Sequence, residues 1–600
     1  MKHIANAANW PVRRIGVAPC NVGSAPTMLD LKIINGIIVD GSGGPRFRGD
    51  VGIRNGRIAA LGTVTENARR TIDAQGQVVA PGFIDVHTHY DAQVFWDPTL
   101  SPSCYHGVTT IFGGFCGFSI APLTPASGQY LMPMLARVEG MPLESLAAGV
   151  PWDWTSFGSY LDKLEGRLAI NAGFLAGHSA LRRAVMNERA VGEKASAQEL
   201  ETMRQLLRDS IEQGALGFST TVSTTHNDAD GNPVPSRHAG REEILALASV
   251  CREYEGTSVE MVPGSDFNPE VIDLLAELSL AADRPVNWNP LALNNASERD
   301  MEYARRQLAA SDRAAEKGGR VVPLTVPQTM TIRINFHSGM VFDAVPGWAE
   351  LFQLPLPERC ARLRDPTYRK RLDDSARNSS WSGFAQWQNM FIAQTFSDAT
   401  REYQGKTVGE AAALMNREPF DAMLDIALAD DLKTSFMPFT GGDDAATYAL
   451  RAQLWRDPRT VIGGSDAGAH LDMIDTFAFS TKVLGRGVRD FGVIGLEQAV
   501  QQLSQKPAEL MGLRERGVLK QDWYADIVIF DPDTVACGPA YTRFDLPAGA
   551  GRLYADAIGI SHVLVNGEVI IRNGEYQGVA AGTVLRSGRD TYSVTLDGAH

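Results

Sequence analysis

From Leu29 to Val79 apolar and polar residues alternate through LKIINGIIVDGSG, DVGIRNGRIAALG and RTIDAQGQVVAPG. A period of two predicts short strands that bury one face. Asn35-Gly36 and Asn55-Gly56 interrupt the alternation, and Asn-Gly between apolar runs predicts hairpin turns, since both residues accept positive φ. A second strand-rich stretch lies near the C-terminus, ADIVIFDP at 525–532 and HVLVNGEVIIRNGE at 562–575, with Asn-Gly again at 566 and 573. The two ends, residues 29–80 and 515–590, are expected to share one sheet.

Between these ends the pattern changes. Short apolar runs alternate with amphipathic helical stretches: FIDVHTH (83–89), VTTIFGG (108–114), INAGFLAGH (170–178), ALGFSTT (215–221), TSVEMVP (257–263), PVNWNPL (285–291), RVVPLTV (320–326) and TVIGGSDAG (460–468). Eight βα units predict an α/β fold of the TIM-type (β/α)8 barrel class over 81–514. The connection from the seventh run to the eighth, 335–459, far exceeds a βα loop. Its periodic segments LPERCARLRDPTYRKRL and GKTVGEAAALMNREPFDAMLDIAL predict a helical insertion capping the barrel mouth. Residues 1–28 are polar and aperiodic and read as a tail outside the fold.

Composition narrows the class of partner. Among 600 residues, 70 Asp and Glu outweigh 56 Lys and Arg, for a net charge of −14. That balance excludes a broad nucleic-acid surface and favours a small-molecule substrate. The hydrophobic share is 44% without an apolar run long enough for a membrane span, and the first residues lack the apolar core of a signal peptide. Six scattered cysteines with no CxxC predict free thiols in a reducing, cytoplasmic compartment. A homo-oligomer is compatible with all of this.

The candidate chemistry lies at strand ends. His87 and His89 close the first run, and residues i and i+2 of a strand point to one side, toward a shared divalent cation. Cys116 follows the second run in the glycine-rich GGFCGFSIAP, where the turn is expected to leave its thiol unshielded as a ligand. Asp466, in IGGSDAG after the eighth run, can ligate the metal and act as general base. Taken singly, these are a polar strand end, a core thiol and a turn aspartate. A closed barrel, however, makes strands one, two and eight neighbours, and the conjunction carries the argument. A divalent metal so held, zinc by default, lowers the pKa of bound water toward ~7 and polarises a carbonyl, which suits hydrolysis of a C–N bond.

With PGFIDVHTHYD, GFCGFSIAPL, GSDAG and the terminal ADIVIFDP in view, the chain resembles the amidohydrolase superfamily, in particular its D-aminoacylase branch, from about 29 to 589. The resemblance implies a metal-dependent barrel with a composite β-sandwich and an N-acyl amino acid or related small amide as substrate. It also exposes a departure. The branch carries metal-binding histidines on strands five and six, whereas TSVEMVPG and PVNWNPLAL contain none. A single ion is expected, unless Glu260, Asn287 or Asn289 serve as oxygen donors for a second. The lysine that some relatives carbamylate on strand four has no counterpart in ALGFSTTVS, which disfavours a carbamate-bridged pair.

Substrate contacts are less sharply marked. His178 in AGHSALRR resembles the GHxxLR of the deacylases and is a candidate catalytic residue that polarises the scissile carbonyl. Arg182 is a candidate for the substrate carboxylate, and His226, His337 and Asn289 are further candidate substrate contacts, with His470 close behind Asp466. The aromatic stretches VPWDWTSFGSYLDKL and GFAQWQNMFIAQ read as core, with an acyl pocket as the other use. Two other functions fit the pattern: hydrolysis of another C–N bond, such as a cyclic amide, carbamate or amidine, and a non-catalytic barrel used for binding or assembly.

Overall fold

The computed structural model describes residues 28–265, 267–438 and 441–598. The expected tail, residues 1–28, lies outside the described residues except for Met28. The chain is a mixed α/β protein. Eight short parallel strands recur in the expected order: β1 (Phe83–Asp85), β2 (Val108–Gly113), β3 (Asn171–Phe174, resuming at Ala176–Gly177), β4 (Gly217–Thr221), β5 (Ser258–Val262), β6 (Val286–Ala292), β7 (Val321–Val326) and β8 (Val461–Ile462). β1 pairs β2 and β2 pairs β3, while the second half of β3 begins a six-stranded parallel run ending at β8. Beyond β1 and β8 a parallel bridge joins Thr88 to Ala467.

β2, β4, β5 and β7 are buried at every position, the signature of parallel strands covered on both faces. Helices such as Ala197–Glu212, Pro269–Ala282 and Glu298–Glu316 supply the outer cover. Each of these helices starts at a Ser or Asn whose side chain accepts from a backbone N–H of the first turn, satisfying a donor the helix cannot.

The two chain ends meet in one nine-stranded sheet, in which Val78–Pro81 pairs antiparallel with Ile527–Phe530. This sheet has a core of its own, including Ile33, Val51, Ile72, Ile527 and Leu564. Three of the four Asn-Gly pairs turn hairpins as expected: Asn55, Asn566 and Asn573 take φ of 52°, 49° and 48° between paired strands. Asn35-Gly36 does not. It lies inside the single strand Leu29–Ile38, where the register with Phe47–Arg54 shifts between Ile33 and Gly36, so the positive φ of Asn35 makes a bulge rather than a turn.

Two expected strands are too long. β1 stops at Asp85, not His89, and β8 at Ile462, not Gly468. After β8 the chain bends out of the sheet where Gly464 (φ 68°) and Asp466 (φ 53°) enter left-handed backbone. The connection between β7 and β8 is not wholly helical either. Its helices include Leu356–Arg364, Pro366–Arg377 and Pro419–Ala429, but a hairpin pairs Phe391–Gln394 with Ser435–Met437. These elements pack on a separate core around Trp348, Trp387 and Phe420. The last helix, Ala445–Arg456, instead buries Tyr448 and Trp455 in the main core, so the segment with its own core ends before that helix.

Candidate metal centre

Beyond β1 the chain alternates its anchors. Thr88 N–H and Oγ1–H both donate to Phe112 O of β2, whereas His89 N–H donates to Ala467 O. Asp466 N–H donates in turn to His87 O. Thr88 is thus drawn to one neighbour while His87 and His89 face the cavity side. Their ring centroids are 5.4 Å apart, and Phe115 stacks on His87 at 4.4 Å.

The ligand atoms converge. Asp466 Oδ1 lies 3.2 Å from His87 Nε2 and 3.6 Å from His89 Nε2. Cys116 Sγ lies 3.4 Å and 3.6 Å from the same nitrogens. His87, His89 and Cys116 offer donor atoms all within 4.8 Å of one another, and all three residues are buried. The sequence expectation of an unshielded thiol is corrected here. Cys116 is 6% exposed, because its own left-handed φ of 56° turns the side chain inward against the histidines.

Charge explains what this cluster requires. Burial, then the carboxylates Glu260, Glu139, Asp466 and Asp91, push the Cys116 thiol far above its ordinary range. Burial also raises Glu260 well above a normal carboxylate and lifts Asp91 to about 6. Asp466 runs the other way: burial would raise it, but hydrogen bonds from His87 and His89 hold it far below the carboxylate range. Burial lowers His87, and in His89 the pull of burial is outweighed by Glu139 and Asp466, to about 9. Glu139 Oε1 stands 3.5 Å behind His89 at Nδ1. A buried group of carboxylates whose cationic partners are only imidazoles is short of positive charge. A divalent cation among two imidazoles, a thiol and a carboxylate supplies it, and a coordinating thiol gives up its proton. The donor set therefore fits a metal.

The residues expected on strands five and six behave differently from histidines. Glu260 Oε2 accepts from Cys116 N–H at 3.0 Å, while its Oε1 and Asn287 Oδ1 are buried without a hydrogen-bond partner. These are oxygen donors beside Cys116, on paired positions of β5 and β6. Asn289, expected at the substrate, instead donates from Nδ2 to Asp466 Oδ1 at 3.1 Å.

His178 and Arg182 lie together around Glu243. His178 is completely buried, with Nδ1 2.9 Å from Thr220 Oγ1 and Nε2 3.0 Å from Glu243 Oε1. Arg182 pairs with the same Glu243 oxygen and donates to the carbonyls of Ala190 and Glu193. Both His178 nitrogens and both terminal nitrogens of Arg182 are engaged in this buried network, while Arg182 Nε has no hydrogen-bond partner. His226 does come close. Its ring packs 5.0 Å from Phe118, Nδ1 meets Thr221 Oγ1 at 2.9 Å, and burial, with the nearby His470 and His89, drives it down to about 3. His337 lies in the wall of a large cavity with Asn335, Lys433 and Asp472. His470 N–H donates to Glu139 O. Glu139 went unnoticed in the sequence, where a glutamate closing an apolar helix before Gly140 looks like a solvated helix end.

The chain is similar to known proteins over most of its length. The model of the amidohydrolase family matches residues 70–571. A D-aminoacylase of Alcaligenes xylosoxydans xylosoxydans is 28% identical over 93% of this chain and 97% of its own length. An N-acyl-D-glutamate deacylase of the same organism is 29% identical over 90% and 93%. Among solved structures, a crystal structure of D-aminoacylase superposes with a TM-score of 0.62 at 26% identity, over 93% of this chain and all of that one. The N-acyl-D-glutamate deacylase of Bordetella bronchiseptica, solved with zinc and a phosphonate mimic of the tetrahedral intermediate, gives 0.63 at 26% identity over 94% of this chain and 100% of that one.

Proposed function

Because the chain belongs to the amidohydrolase family, we propose that it hydrolyses the amide of an N-acyl amino acid, and specifically of an N-acyl-D-amino acid as its deacylase relatives do by name. His87, His89, Cys116 and Asp466 would hold the metal. A divalent cation there supplies an acidified water and a Lewis acid for the carbonyl. The protein's own groups do the rest. Asp466 is 17% exposed while His87 and His89 are at 0% and 3%, so it is the member of the cluster open to solvent and to substrate. Its carboxylate stays ionised, accepts a proton from attacking water and passes it to the departing amine nitrogen. Asn289 fixes Oδ1 for that exchange, and Glu139 orients the His89 ring from behind.

The eight parallel strands are read as a closed (β/α)8 barrel carrying this site at its C-terminal end; the Thr88–Ala467 bridge supports closure. Residues 29–80 and 515–590 are read as one β domain beside it, in keeping with their shared sheet. Five described cysteines are free and no described helix is long and apolar enough to cross a membrane; the free thiols favour a cytoplasmic setting.

The convergence of His87, His89 and Cys116, with Asp466 Oδ1 at 3.2 Å and 3.6 Å from the two histidines, carries the reading. It is tested by elemental analysis of the purified chain together with turnover of N-acetyl-D- and N-acetyl-L-amino acids. At least one equivalent of metal, hydrolysis of the D series, and loss of turnover in Asp466→Asn are expected. Hydrolysis that survives in Asp466→Asn overturns the assignment of the base.

A further inference from the structure

The aromatic stretches marked in the sequence turn out to be core: Trp154, Phe157, Tyr160 and Trp387 are all buried. Other side chains line the large open space near the centre. Between the segment 136–144, the segment inserted after β7 and the segment 542–551 lies a cavity of about 830 Å³, toward the upper end of the roughly 300–1,000 Å³ of small-molecule sites. Gly140 lines it and follows Glu139, the residue behind His89, in sequence. A Cβ on Gly140 itself would come within 3.0 Å of Met340 Sδ and 3.2 Å of His470 Cα.

The lining has two characters. Met141, Leu143, Met340, Phe352, Phe396 and Phe544 give it an apolar wall. Leu143 and Phe544 are 46% and 53% exposed, two of the few large apolar side chains left in water, and Phe396 meets Phe544 at 5.9 Å across the two segments. Its charge is unfavourable to anions. The carboxylates Glu144, Asp230, Asp343 and Asp472 face only the cations Arg137 and Lys433, and the Arg137 guanidinium is already paired with Asp343 at 2.5 Å. Burial holds His337 neutral by lowering its pKa. An acidic side chain entering here would meet more carboxylate than ammonium, whereas an apolar group would cover rings now exposed.

We propose that this cavity receives a large apolar arm of the amide substrate and selects against an acidic one. The inference rests on the amide-hydrolase reading and deepens it by naming the substrate class. The arm has two sources, the acyl chain or the amino-acid side chain, and the experiment separates them. kcat/KM of the metal-loaded enzyme is measured for acetyl, octanoyl and dodecanoyl D-alanine, and for N-acetyl derivatives of D-alanine, D-leucine, D-phenylalanine and D-glutamate. A steep rise in one series is expected, since each buried methylene is worth up to about fourfold, with N-acetyl-D-glutamate below N-acetyl-D-leucine. Calorimetric titration with octanoate and with D-phenylalanine reads binding without turnover; the ligand matching the steep series should bind, and Phe544→Asp, at an exposed position, should weaken it at least tenfold. Hydrolysis with both series flat, or with the glutamate derivative preferred, overturns the inference and leaves the hydrolase reading standing. Binding sensitive to Phe544→Asp with no amide cleaved overturns the hydrolase reading alone. Neither binding nor cleavage overturns both.

Discussion

Asn289 Nδ2 donates to Asp466 Oδ1 at 3.1 Å, so a residue of β6 fixes the carboxylate that follows β8. Asn289→Ala removes this donor from an ionised acceptor. A hydrogen bond to a charged group contributes about 1.5 kcal/mol or more, so kcat should fall about tenfold with KM little changed. Losing a donor to the charged form also raises the carboxylate pKa, and the acid limb of the pH–rate profile should move to higher pH. An unshifted limb would mean that Asn289 touches substrate instead.

Glu139 stands behind His89 at 3.5 Å. Glu139→Gln keeps the volume and removes the charge that holds the ring. Metal affinity, measured by competition with a chromophoric chelator, should drop about 10- to 100-fold, with the fold intact by circular dichroism.

Cys116 Sγ lies within 3.6 Å of both histidines. Replacing the native ion with cobalt should produce a thiolate-to-cobalt charge-transfer band. Cys116→Ser should abolish that band and weaken metal binding. A band that persists in the serine variant would assign sulfur ligation elsewhere.

His106 bears on stability and pH rather than on catalysis. It is fully buried between Thr481 Oγ1 and Ala555 O, and burial lowers its pKa from 6.5 to about 4. The folded chain therefore keeps this imidazole neutral where the unfolded chain binds a proton. Its contribution is fully present above pH 6.5 and is lost as pH falls toward 4, by up to ~3 kcal/mol. Urea unfolding at pH 7.5 and 5 should show the loss, and His106→Gln should flatten the dependence.

Glu243 pairs with the Arg182 guanidinium and faces His178 Nε2 in a buried network. Glu243→Ala strands an unpaired guanidinium in the interior, and removing one partner of such a pair costs about 3–5 kcal/mol. The melting temperature should drop sharply, while KM of the surviving folded fraction stays near that of the parent. A large rise in KM with unchanged stability would return His178 and Arg182 to the substrate.

What the sequence reveals here depends on the range of the signal. Parallel strands buried on both faces leave unbroken apolar runs, so VTTIFGG and ALGFSTT mark β2 and β4 within about two residues of their true ends. The bends after β1 and β8 leave no such trace, because a positive φ at Asp466 reflects the long-range pairing of His87 with Asp466 rather than local composition. Likewise HxH, Cys116 and Asp466 are visible as residue types at strand ends, and the structure brings them together. The roles read for His178 and Arg182 depended on which way a side chain points after it leaves the strand. Their partner Glu243 lies about 60 residues downstream, and no pattern in AGHSALRR announces it. Asn35-Gly36 shows the same limit in the sheet: the dipeptide specifies a positive φ, but only the partner strand decides between turn and bulge.

The bridge between Thr88 and Ala467 also sets an order for the birth of the molecule. Ser465 closes on Asp85 across 380 residues of chain, and Ile527 pairs with Pro81 from still further downstream. In synthesis His87, His89 and Cys116 emerge early, and more than three-quarters of the chain must be made before the Asp466 carboxylate follows. Contacts of such span form slowly. A fragment released before that point has the thiol and the imidazoles in its sequence but lacks the carboxylate that completes the site.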